Sequence, residues 1–217
     1  MGKKFHIVLV VLIVIAVVFG FWLWHQNKSF TNFSEAHGPG SISDGVITFS
    51  YSQDFRLASN QEQILVSSYI PPCDQDFNYC LYYFKDTYKD TNFESAGLRI
   101  KKRDNFTNEL DCLNNLSNGY VNMESVLIDN GDYLISRFGP LGSAAAGHYT
   151  NGEIYRLWHQ DICYEFEVKI GESQFANYPD GAIKLFTNQD RNWMKNQLMN
   201  MLAGATLNNT GKKLQLP

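Results

Sequence analysis

The 217-residue sequence predicts an α+β fold, an antiparallel β-sheet packed with helices and preceded by one N-terminal transmembrane helix. Three features predict it. The chain begins with a long apolar run, continues through short segments in which apolar and polar residues alternate, and closes with apolar residues recurring at helical spacing. Strands followed by an amphipathic helix define helices packed on a sheet.

The apolar run is "FHIVLVVLIVIAVVFGFWLW", Phe5 to Trp24, which contains no Asp, Glu, Lys or Arg. About 20 helical residues cross a hydrocarbon core of roughly 30 Å, and lipid leaves an uncharged segment no other way to satisfy its backbone. Trp22, Trp24 and His25 suit the headgroup layer. Lys3 and Lys4 precede the run and only Lys28 follows closely, which predicts a cytoplasmic N-terminus. The run is longer than a signal-peptide core of about 7–15 residues, and Val18–Gly20 is a poor cleavage site. The expectation is a single-pass protein of the cell membrane, with an anchor over 1–25, a flexible linker over 26–45 and an extracytoplasmic domain over 46–217.

The elements of that domain follow in order. "VITFSYS" (Val46–Ser52) alternates as a half-buried strand. "EQILVSSYI" (Glu62–Ile70) and "CLYYF" (Cys80–Phe84) are strand-like, and "SAGLRIKK" (Ser95–Lys102) alternates Leu98 and Ile100 with Arg99 and Lys101. "FTNELDCLNNL" (Phe106–Leu116) has the spacing of a short helix. "SVLIDNGDYLISRF" (Ser125–Phe138) sets Asn130-Gly131 between apolar runs, the dipeptide of a type I′ hairpin turn. "EIYRLW" and "ICYEFEVKI" read as a second antiparallel pair around His159-Gln160-Asp161. Thr187 with Asp190 marks a helix start, Met194, Leu198, Met201 and Leu202 share one face, and Gly204 offers a stop.

All four cysteines lie in the predicted exported part, where an even count favours disulfides. Cys73 and Cys80 flank one short segment and pair by locality, which leaves Cys112 with Cys163. The net charge of −4, with "RIKKR" (Arg99–Arg103) as its one basic cluster, argues against a nucleic-acid partner. That cluster reads as the solvated end of a strand.

The densest collection of chemically able residues is "GHYTNGEIYRLWHQDICYEFEVKI" (Gly147–Ile170). Zinc requires three or four converging ligands, and His148, His159 and Cys163 have no second spaced cluster. A Cys163–His159 nucleophile requires a free thiol. Glu165 and Glu167 share a strand face and could serve as an acid/base pair, for which the alternative is a solvated face. The stretch is read as structural, with no catalytic residue, no metal and no cofactor. "DQD" (Asp74–Asp76) and "DTYKD" (Asp86–Asp90) lack a full calcium ligand set. The remaining candidate is aromatic: Phe77, Tyr79, Tyr82 and Tyr83 crowd a segment bounded by cysteines, and exposed together they would form a binding surface. Burial in the core is the other reading of these rings.

"FSYSQDF" (Phe49–Phe55) resembles the F-x-Y-P-x-x-[FW] opening of the PsbP-like family, extrinsic proteins related to a photosystem II subunit. The terminal strand pair followed by one helix is also similar to that family's ending. Ser52 stands where the family has proline, and the cysteines are not part of its pattern. The resemblance implies a sheet between helices and a non-catalytic partner that docks on a larger assembly. The function expected is therefore a membrane-anchored binding or assembly module, held through Phe5–Trp24, for an envelope protein or a cell-surface ligand. The alternatives are an envelope hydrolase using acidic residues and a purely structural envelope component.

Overall fold

The computed structural model describes residues 39–60, 63–64, 69–73, 76–114, 124–129 and 133–216. All of them belong to one compact unit, 37–217. The predicted membrane helix over Phe5–Trp24 lies outside the described residues; among those residues, no helix is long and apolar enough to cross a membrane.

The fold is mostly β, which corrects the α+β expectation. Among the described residues, two antiparallel sheets account for it, with two α-helices beside them. The smaller sheet has the order β1-β2-β10-β11, from β1 (Gly40–Ser43), β2 (Ile47–Tyr51), β10 (Thr206–Leu207) and β11 (Lys212–Lys213). The larger has the order β3-β4-β5-β9-β8-β7-β6. Its strands are β3 (Phe55–Ala58), β4 (Tyr79–Tyr83), β5 (Phe93–Arg103), β6 (Glu124–Asp129), β7 (Leu134–Ala145), β8 (His148–His159) and β9 (Ile162–Ser173). Helix α1 (Glu109–Asn114) is short, and α2 (Asn188–Ala203) is the one long helix described. The expectation failed because the space predicted for packed helices is shared with a second sheet.

β1 forms inside the stretch read as linker. Asp44 makes this possible: its Oδ1 accepts from the amides of Val46 and Ile47 at 2.9 and 2.8 Å, and Gly45 takes φ +91°. The chain therefore turns back, and β1 pairs with β2. No strand forms among the described residues of Glu62–Ile70. The Asn130-Gly131 turn lies outside the described residues, but the register of its flanking strands is set. Asp129 pairs with Leu134, leaving four residues between them. A two-residue turn would have put Asp129 opposite Asp132, and like charges directly opposite one another destabilise a ladder.

The large sheet is covered on both faces. Tyr164, Phe166, Val168 and Ile170 of β9, with Leu98 and Ile100 of β5 and Leu157 of β8, face the main core. That core is completed by Met194, Leu198, Met201 and Leu202 of α2 and by Ile47, Phe49 and Leu207 of the small sheet. At the start of α2, the Thr187 hydroxyl accepts from the Asp190 amide at 3.2 Å and the Asp190 carboxylate accepts from the Thr187 amide at 2.9 Å. Both ends of this capping box satisfy amides that the helix leaves open.

The opposite face of the large sheet meets α1 and the segment around Pro72 and Cys73. Gly97 permits that approach, since a Cβ there would lie 2.6 Å from the Pro72 carbonyl oxygen. The bonds Cys73–Cys80 and Cys112–Cys163 hold both coverings, with Cα separations of 6.2 and 5.6 Å.

Candidate functional site

The stretch from Gly147 to Ile170 is a hairpin, and its reactive residues separate along it. Gln160 and Asp161 turn the chain with φ +49° and +58°, so β8 pairs with β9 from His159–Ile162 to His148–Ser173. His148 and His159 stand at opposite ends of one strand, about 36 Å apart at the usual rise per residue. They cannot share an ion. His159 pairs with Asn209 at 3.1 Å, and Cys163 is bonded to Cys112.

Glu165 and Glu167 are buried, which corrects the solvated-face reading. Alternation assigns them to the face away from the main core, and α1 with the Cys112–Cys163 bridge closes over that face. Glu165 holds Arg99 and Arg156 at 2.6 Å each and Arg103 at 3.5 Å; Glu167 holds Arg99 at 2.9 Å. Arg156 is fully buried, donates to the Cys112 carbonyl at 3.4 Å and lies over the Phe106 ring. Burial alone would push the Glu165 carboxyl up, but the attraction of Arg99, Arg156 and Arg103 outweighs it and holds the carboxyl below its ordinary value. A carboxylate bound this way is a poor proton shuttle. The network clamps α1 and its loop to the sheet.

The basic cluster is likewise tied in. Arg99 is buried, Lys101 pairs with Asp76, and Lys102 reaches Asp44 at 2.9 Å. A second buried acid, Glu172, receives Arg191 through both oxygens at 2.6 and 2.7 Å, joining β9 to α2. Near it, a β-bulge at Glu94 turns that side chain onto His148 Nδ1, and the Tyr69 ring stacks on the imidazole with centroids 4.1 Å apart.

The four aromatic candidates do not make one surface. β4 is buried on both faces, so alternate rings leave it in opposite directions. Tyr82 joins Cys73, Cys80, Phe77 and Ala58 in a small second core, whereas Tyr79 and Tyr83 pack with the main one. Of the four, Tyr83 also lines an open cavity.

That cavity is a groove of about 360 Å³ at the start of α2. Its walls come from separate elements: Asp54 from the turn before β3, Tyr83 from the end of β4, Thr87 and Tyr88 from a 3₁₀ turn, and Gln189, Asp190 and Trp193 from the first two turns of α2. Tyr83 and Trp193 meet edge to face, with centroids 6.3 Å apart at 82°. Tyr88 lies 6.3 Å from Trp193 at 60° and 5.9 Å from Tyr83 at 40°. Phe93 and Phe186 back these rings from within the core. Trp193 stays 39% exposed, a large apolar surface left in water. Burial, with the charges of Asp54 at Tyr83 and Asp190 at Tyr88, pushes both phenols up, so they stand as neutral hydrogen-bonding groups.

Sequence reasoning missed Trp193, Tyr88 and Asp54 because they are distant in the chain. One signal was available: on α2, Trp193 adjoins the Met194 core face, a large ring at the edge of the buried stripe.

No protein-family model matches the chain, and comparison with curated proteins finds no match. The site is therefore read from its own geometry.

Proposed function

We propose that the chain is a membrane-held, extracytoplasmic binding module whose ligand sits in the groove formed by β4, the 3₁₀ turn and α2. The supporting observation is the exposed Trp193 ring beside Tyr83, Tyr88, Asp54 and Asp190, an aromatic cleft with polar groups at its rim. Two disulfides fit an oxidising compartment. The apolar run Phe5–Trp24 would keep the domain at the membrane, facing an envelope or cell-surface ligand. A non-catalytic role agrees with the arginine-bound state of Glu165 and with what the PsbP-like resemblance implies. Equilibrium dialysis of the full chain in detergent against a small-molecule extract of its source cells tests the reading. At least one compound should be retained by the native chain and lost from Trp193→Ala; identical retention by both would contradict the groove as the site.

A further inference from the structure

Resting on that reading, we infer that the groove recognises a free organic cation, a substituted ammonium group of about choline size. Charge is the first argument. Among the described residues, the lining contains two carboxylates, Asp54 and Asp190, and no Lys, Arg or His. Two cations close to the lining in the chain are directed elsewhere: Lys85 lies over the Phe84 ring, and Arg191 is held by Glu172. Asp190 Oδ2 is taken up by the Thr187 amide and hydroxyl at the α2 cap, so Asp54 is the carboxylate of this lining that an entering cation meets.

Ring geometry is the second argument. A sugar stacks on one flat ring face, and parallel or coplanar rings would extend such a platform. Here Trp193 stands at 82° to Tyr83 and at 60° to Tyr88. The rings make a corner, which suits a compact, rounded group better than a flat one. An ammonium group within about 6 Å of a ring centroid is drawn to the negative face of the ring, with indole the strongest of the aromatic partners. Trp193 is the most exposed ring of the set. Thr87 and Gln189 add neutral donors and acceptors at the rim for whatever the ammonium carries.

The test compares choline with its uncharged isostere 3,3-dimethylbutan-1-ol by equilibrium dialysis of the full chain, in a detergent that lacks a choline headgroup. Choline should be retained and the isostere should not. Asp54→Asn, which keeps the side-chain volume, and Trp193→Ala should each weaken choline retention on the order of tenfold. Trp193→Phe should restore most of it, because the ring returns without the indole. Equal retention of choline and the isostere would overturn cation recognition while leaving the groove as a ligand site. So would choline retention that Asp54→Asn leaves unchanged. If choline is not retained but Trp193→Ala still loses a compound from the cell extract, the cation class fails and the groove reading survives. If both experiments show no difference, both fail.

Discussion

Glu165 shows how a single side chain can organise one face of the protein. It is almost fully buried and ion-paired to Arg99, Arg103 and Arg156. Removing one partner of a buried ion pair leaves the others desolvated without compensation, so Glu165→Ala should cost about 3–5 kcal/mol, read from denaturant unfolding of the two proteins. The pH dependence has a defined sign. The folded carboxyl titrates below its unfolded counterpart, so the unfolded state binds more protons in the window between the two. The stabilisation is complete above the unfolded value of about 4.3 and is lost as pH falls through the lower, folded value. Thermal melts from pH 6 downward should show the native chain losing stability below about pH 4.3. Glu165→Gln should be less stable at neutral pH and flatter across that window. The alternation placing Glu165 away from the main core was legible in the sequence. Its cover was legible in part, because pairing Cys112 with Cys163 carries the Cys112 helix over that face; the arginine partners were not, because a period of two assigns a face without naming what meets it. The cover comes from α1, tied down by the Cys112–Cys163 bond, and the arginines from positions 99, 103 and 156.

At the scale of elements, the cover depends on its crosslinks. The Cys112–Cys163 bond spans 51 residues and Cys73–Cys80 spans seven. Chain-entropy estimates give about 4 kcal/mol for the first and about 2.5 for the second. Replacing Cys112 and Cys163 with alanine should therefore lower stability more than replacing Cys73 and Cys80, in urea unfolding under non-reducing conditions. An equal or reversed ranking would mean that the bridge across α1 adds little to the Glu165 network beneath it. Helix α2 is fixed at its first turn, so Thr187→Ala should cost about 1 kcal/mol by the same measurement. Strong local chemistry made these elements readable: Thr187 with Asp190 for the cap, and alternation for β2, β5, β8 and β9. The turn at Ala146-Gly147, with φ +52° and +82°, was not read as a hairpin because the surrounding "GSAAAG" lacks apolar alternation. Asp44-Gly45 carried a turn signal, yet the polar stretch before it hid β1.

At the scale of the whole molecule, the domain is a seven-stranded sheet with an apolar face under α2 and the small sheet, and an ionic face under α1. The groove sits where three chain-distant pieces converge, which is why composition and spacing pointed instead to the single segment from Phe77 to Tyr83. In the proposed binding module, this groove faces outward at the membrane. Intact cells offer the most direct test, through a Gln189→Cys variant, since Gln189 is exposed and lines the groove. A membrane-impermeant maleimide should label that thiol without lysis, and the cell-extract fraction retained in dialysis should slow the labelling. Labelling only after lysis, or at a rate the retained fraction leaves unchanged, would contradict it.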